Sequence, residues 1–190
     1  EQLDWKIPDM VFVSVGDGCI ISSVYKGFYD LEKLGLIERI PRIIGVQAEG
    51  ADPVYQAVRS GSARVTFAPA ETIADSISVG APRNWAKALR AVRKSGGDVI
   101  TVSDQDILDA IPELARETGV FGEPAGVTGF AGFRKMAERG EIGRDQRIAF
   151  IVTGNGLKDI ASAQKAVGDP FVVDPDLDEL EKLFSGNLEV

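Results

Sequence analysis

Histidine is absent from the 190 residues of this chain. That removes Ser-His-Asp and Cys-His catalysis, histidine-ligated metals and histidine general bases at one stroke. Any catalysis here rests on lysine, carboxylates, hydroxyls or a cofactor. Cysteine occurs once, as Cys19, which rules out an internal disulfide and fits a reducing cytoplasm. Basic residues are in deficit, 21 Lys and Arg against 29 Asp and Glu, for a net charge of −8. Nucleic acid and anionic membrane, which need a basic footprint, are therefore not expected as partners. No apolar run approaches the ~20 residues of a membrane span, and no signal peptide is expected. The chain opens at Glu1 rather than Met, which suggests a processed product or a piece of something longer.

What is present reads as one α/β domain over residues 1–190, since 44% hydrophobic residues supply a substantial core for this length. Strands and helices alternate. Residues 10–15 predict a buried strand, followed by a helix over 20–34 stopped by Gly35. A second strand is expected at 43–48, a short helix at 53–59, a helix at 84–95 and a third strand at 98–102. Residues 61–83 carry Gly, Ser, Pro and Thr without periodicity. Ser103-Asp104-Gln105-Asp106 opens a helix with capping-box spacing, and another starts at Glu123-Pro124, with proline suited to a first turn. Arg147–Val152 predicts a fourth strand, Phe171–Val173 a short fifth and Leu177–Phe184 a closing helix. Near-continuous Val/Ile runs between helices indicate a doubly wound, mostly parallel sheet covered by helices on both faces.

Two loops carry the chemistry. Met10-Val11-Phe12-Val13-Ser14-Val15 runs into Gly16-Asp17-Gly18 and then into a helix. At such a junction free N–H groups and the positive end of the helix dipole form a pocket for an anion. A phosphate P-loop would need Lys-Ser/Thr where Ile20-Ile21 stands, so that reading fails. A dinucleotide fingerprint would need a third glycine at Ile21 and an acid roughly 20 residues on. Glu49 lies further away, which leaves that reading as a runner-up. The second loop is Thr153-Gly154-Asn155-Gly156, at the end of a strand whose carboxyl edge should line the same crevice.

Other features have plainer readings. Gly126, Gly129 and Gly132 recur every three residues, and tight helix-to-sheet packing accounts best for the latter two. Glu123 is either a helix N-terminal acid favoured by the dipole or a group pointing into the site. Lys158 reads as a solvated residue at a helix start. Asp174, Asp176, Asp178, Glu179 and Glu181 read as a solvated acidic tail rather than a metal site.

Taken in order, the motifs resemble a known family. They are Val13 to Ser22, Ile44-Gly45-Val46-Gln47-Ala48-Glu49-Gly50, Thr72-Ile73-Ala74-Asp75-Ser76-Ile77, Glu123-Pro124-Ala125 and Thr153-Gly154-Asn155-Gly156-Leu157-Lys158-Asp159. The chain is similar to the C-terminal half of the threonine synthases, within the fold type II (tryptophan-synthase-β-like) enzymes that use pyridoxal 5′-phosphate (PLP). The Thr-Gly-x-Gly-Leu-Lys-Asp segment leans towards threonine synthases over dehydratases. The resemblance implies a cofactor site of Gly16, Asp17, Gly18, Cys19, Ile20, Glu123 and Thr153. In it the loop amides hold the phosphate, the Thr153 hydroxyl faces the pyridine nitrogen, and Glu123 lies beside the ring. A hydroxyl suits an unprotonated ring nitrogen, and Asp17, poorly placed beside a phosphate, should turn outward.

The implied substrate is a small amino acid, O-phosphohomoserine for a threonine synthase. That substrate needs a second anion site, for which the arginines of residues 61–93 are candidates. Other fold type II lyases (a dehydratase or a cysteate synthase-like enzyme) and a non-catalytic phosphate-binding module are the alternatives. The family's Schiff-base lysine lies in an upstream Ser-Phe-Lys-type segment that none of the nine lysines here matches. No catalytic residue and no metal ligand is therefore expected in this chain. It should be inactive alone, and should form a homodimer or associate with the missing N-terminal half.

Overall fold

The computed structural model describes residues 2–170 and 172–187, with side chains through Phe184. Four strands form one parallel sheet: β1 (Met10–Ser14), β2 (Arg42–Ala48), β3 (Asp98–Val102) and β4 (Ile148–Phe150), in the order β3-β2-β1-β4. The helices are α1 (Cys19–Lys33), α2 (Pro53–Arg59), α3 (Trp85–Lys94), α4 (Asp104–Thr118), α5 (Pro124–Glu138), α6 (Ile160–Val167) and α7 (Leu177–Asn187).

The doubly wound expectation holds because successive residues of β1 and β2 are apolar on both sides. Val11, Val13, Val15 and Ile43 face α1, α2 and α3, in a layer with Ile21, Val54 and Leu89. Met10, Phe12, Ile44 and Val46 face α4 and α5, in a layer with Ile107, Leu114 and Phe130. Each such side chain, taken fully out of water, contributes about 1.5–3 kcal/mol. Phe12, fully buried, also meets Phe133 edge-on at 6.0 Å between ring centroids.

α5 lies close against the sheet and the loop that follows β4, and two of its glycines leave little room for a side chain. A Cβ at Gly132 would fall 2.5 Å from a Val46 methyl, and one at Gly126 would fall 3.0 Å from the Gly154 carbonyl oxygen. Tight packing therefore explains Gly132 and also Gly126, but not Gly129, where a Cβ would lie 3.5 Å from the Phe12 carbonyl oxygen, an ordinary contact. α4 begins with a true capping box: Ser103 accepts from the Asp106 N–H, and Asp106 accepts from the Ser103 N–H.

Departures cluster at the C-terminal end. β4 spans three residues rather than the six expected over 147–152, because Ile151 is the last residue there to bond the β1 backbone (to Phe12 O, 3.3 Å). α6 was not anticipated; its pattern is short and none of its residues is buried. Of the strand expected at 171–173, Phe171 lies outside the described residues, and Val172 and Val173 carry no strand.

Candidate functional site

The two loops meet at the carboxyl edge of the sheet. Chain order runs from β1 outward to β2 and β3, then returns to the other side of β1 for β4. The β1–β4 junction is thus where the winding reverses, and an open α/β sheet forms a crevice there. The Gly16 loop leaves β1 on one side of it and residues 151–156 leave β4 on the other.

The first loop is built to present donors. Gly18 sits at φ +84° as the residue before α1, a backbone shape that favours glycine. The first N–H of the helix to find a partner is that of Ser22, on the Gly18 carbonyl at 3.3 Å. The N–H groups of Gly16, Asp17, Gly18, Cys19, Ile20 and Ile21 have no hydrogen-bond partner among the described residues. Six free donors at the positive end of a 15-residue helix are a strong local field for an anion. They act despite the chain's net negative charge.

Neighbouring backbone fixes the loop's shape. The Asp17 carbonyl accepts from the Asn84 N–H at 2.9 Å, and its carboxylate accepts from the Arg83 N–H at 3.0 Å. Asp17 is half-buried, and its expected outward turn takes the form of this bond to the backbone. The Asn84 amide donates to the Cys19 sulfur at 2.7 Å. Gly16 is pressed against residues 76–79, where a Cβ would fall 2.9 Å from the Ile77 Cα and 3.3 Å from the Ser76 carbonyl oxygen.

Glu123 and Thr153 come together across the crevice. The Glu123 N–H donates to the Gly154 carbonyl at 3.0 Å, and Gly122 pairs with Asn155 as a single antiparallel bridge. The Glu123 side chain fills the space where a Cβ of Gly154 would stand, so a side chain there would displace the Glu123 carboxylate. Glu123 is only 8% exposed. Thr153 is exposed, and its hydroxyl has no partner among the described residues; it is free to donate to a ligand atom.

Two participants were not legible. Lys158 is solvated as expected, its side chain 64% exposed, in the tight turn Gly156–Lys158 before α6; what its sequence context did not show is that its ammonium stands 3.7 Å from a Glu123 carboxylate oxygen. With Ser76, Asp75, Asp159 and Glu123 it lines a polar cavity of about 330 Å³. Residues 61–83, which showed no period, supply Asp75 and Ser76. A wider groove of about 860 Å³ opens at Cys19 and runs between α1 and α3 past Tyr25, Lys87 and Arg90. Arg90 is the member of the 61–93 arginines that lines it; Arg93 is spent on the Ser62 carbonyl.

Comparison with known proteins then decides the family. A model of the family described as pyridoxal-phosphate dependent enzyme matches residues 1–154. This chain belongs to that family. Threonine synthase of Methanocaldococcus jannaschii is 41% identical over 184 residues, covering 96% of this chain and 45% of the relative. Threonine synthase of Methanosarcina acetivorans is 40% identical over 187 residues, covering 98% and 46%. The chain spans less than half the length of these curated relatives. Among solved structures, a fungal L-serine ammonia-lyase from Rhizomucor miehei has a TM-score of 0.71 at 18% identity, over 90% of this chain and 52% of that one. Threonine synthase from Escherichia coli has a TM-score of 0.64 at 18% identity, over 90% and 38%. At these identities the structures attest the shared α/β fold. For a PLP-dependent family, a donor row suited to a phosphate and a free hydroxyl suited to a ring nitrogen are the expected complement.

Proposed function

We propose that this chain is the phosphate-gripping portion of a PLP-dependent threonine synthase, a lyase that converts O-phosphohomoserine and water to threonine and phosphate. The observation that carries the reading is the row of six unpartnered N–H groups from Gly16 to Ile21 at the reversal point of the sheet. Identity of 40–41% to threonine synthases over nearly the whole chain favours this reaction within the family.

PLP, when bound, supplies an electron sink for bonds broken on an amino-acid substrate. The chain's own residues prepare for it. Amides of Gly16, Asp17, Gly18, Cys19 and Ile20 hold the phosphate without a balancing cation, through aligned dipoles. Thr153 offers a hydroxyl proton to the pyridine nitrogen and holds it there without giving it up. Glu123, buried and paired with Lys158, flanks the ring and fixes the Gly154 turn that aims Thr153. Lys87 and Arg90, in the groove that starts at Cys19, are the cations available for a second anion. None of the nine lysines stands in the family's Schiff-base segment. Turnover therefore depends on the remaining polypeptide, on the same chain or a partner subunit.

Gly18→Val tests the grip, since a side chain at φ +84° is strained and its Cβ would meet the Ala88 Cβ at 2.9 Å. In the polypeptide as the cell makes it, the substitution should sharply weaken PLP retention; wild-type retention would refute the assignment. The reaction is tested by supplying O-phosphohomoserine, L-serine and L-threonine in turn. Phosphate release with threonine formation is expected from the first. Ammonia and keto acid from the others, with no phosphate release, would instead identify a dehydratase.

A further inference from the structure

Asp104 and Asp106 sit two residues apart at the head of α4, yet they do different work. Asp106 completes the capping box with Ser103, so the helix start is already satisfied. Asp104 is surplus to it. An acid at a first helical position is favoured by the dipole alone, but that would leave its oxygens in solvent. Instead both are engaged by a segment about thirty residues earlier. One accepts from the Thr72 hydroxyl and the other from the Ile73 N–H at 3.2 Å.

The segment so held is the strap that lies on Gly16. Thr72 Oγ1 accepts in turn from the Ala74 N–H at 3.2 Å. A tight run of turns then carries the chain through Asp75–Ile77 to Val79, with Ala74 and Ile77 buried. Among the described residues, Asp104 is the one side chain from elsewhere that hydrogen-bonds to residues 72–79. The strap lies directly on Gly16 with little slack: a Cβ there would meet the Ile77 Cα at 2.9 Å, a Val79 methyl at 3.2 Å and the Ser76 carbonyl oxygen at 3.3 Å. A shift at Thr72 must therefore reach the donor row.

We infer that Asp104 is a positioning residue for phosphate binding, acting through Thr72 and the 72–79 strap on the Gly16–Ile21 donor row; this rests on the phosphate-loop reading above. Asp104 does not touch the ligand. It sets the geometry of groups that do, where small misplacements are costly.

The test compares affinities for PLP and for pyridoxal, which lacks the phosphate, in the full-length polypeptide. Asp104→Ala should lower the PLP-to-pyridoxal affinity ratio about tenfold or more, and Thr72→Val, which cuts the same bond from the other side, should do likewise. Asp106→Ala removes the acceptor of the Ser103 N–H in the cap of the same helix and serves as the control. It should lower the melting temperature while leaving the ratio within about twofold of wild type. Asp104→Glu tests rescue, since a carboxylate that reaches Thr72 should recover part of the ratio. Equal loss of both affinities in the Asp104 and Thr72 variants, or an unchanged ratio, overturns the inference. Gly18→Val separates that failure from a deeper one. If Gly18→Val abolishes the preference for PLP and Asp104→Ala does not, only the role of Asp104 fails. If neither alters it, the phosphate loop itself is wrongly assigned.

Discussion

The two sides of β1 are finished to different degrees. Towards β2 and β3 the strands are buried on both faces over most of their length and the helices interlock with them. Towards β4 the sheet thins. All three residues of β4 are half-buried, α6 buries none of its residues, and Val167, Leu177 and Phe184 are more than half exposed. The candidate site lies on the boundary between them. Its phosphate loop belongs to the rigid side, pinned by backbone contacts from residues 76–84. Its Thr153 arm belongs to the thinner side, held by Glu123, Gly154 and Lys158. A parallel sheet is stable when covered on both faces, so the loop of free N–H groups on the finished side is preformed. The Thr153 arm draws its order from fewer neighbours.

The largest effect should come from the finished side. Phe12→Ala removes a fully buried ring from the middle of the sheet and should cost about 3–5 kcal/mol in chemical denaturation. A loss no larger than that of a β4 substitution would break the distinction between the two sides. Gly132→Ala comes next. It adds a methyl 2.5 Å from a Val46 methyl and should cost about 1–3 kcal/mol through overpacking, less the few tenths to 1 kcal/mol that alanine returns in helix propensity.

Acid sensitivity probes both sides through Asp9 and Asp106. The Arg147 N–H, followed by the neighbouring Arg39 guanidinium, holds the Asp9 carboxyl below its ordinary value. Burial pushes Asp106 up, but the Ser103 N–H and hydroxyl and the Lys135 ammonium outweigh it and hold that carboxyl low as well. Both groups bind protons less readily folded than unfolded. Their contribution to stability is complete above the ordinary value of 3.8 and disappears as pH falls through the depressed folded values. Asp9→Asn should therefore lower the neutral plateau of a stability–pH curve and flatten its acid limb, leaving stability below the depressed folded value little altered. Asp9 ties β1 to β4 through the Arg147 backbone, so an acid limb unmoved by the substitution would show that this tie contributes little.

The smallest effect should lie on the thin side. Val167→Ser alters a residue 68% exposed on α6 and should change stability by no more than about 0.5 kcal/mol. It should also lessen self-association in sedimentation, since contiguous exposed apolar surface favours it. A destabilisation matching that of Phe12→Ala would mean that the α6 face is core after all.

The difference between the sides also explains what could be read in advance. β1 to β3 and α1 to α5 announce themselves because an element packed on a core must repeat its apolar residues at the period of its geometry. The glycine loop was legible for a related reason: free N–H groups, a left-handed residue and a helix start leave a local trace. Residues 61–83 left none. They are held by bonds to distant positions, Glu71 N–H to the Gly50 carbonyl and Thr72 to Asp104, and by Ala68 N–H to the Gly80 carbonyl within the segment, and such bonds impose no period. The pairing of Lys158 escaped notice for the same reason, because it depends on a glutamate thirty-five positions away. The short extent of β4 and the existence of α6 were missed where packing is thin and periodicity weak.

By itself, then, the amino-acid sequence determined the α/β class, the parallel sheet, the strand–glycine-turn–helix junction at Gly16–Ile20 and the exclusion of histidine and disulfide chemistry. All of these follow from local pattern or plain absence. Only the tertiary structure decided that the winding reverses between β1 and β4, bringing two distant loops to one crevice. It alone placed Glu123 against Gly154 and Lys158, and laid residues 72–79 over Gly16 under the hold of Asp104. Those are contacts between residues far apart in the chain, and no local periodicity encodes which of them the fold will join.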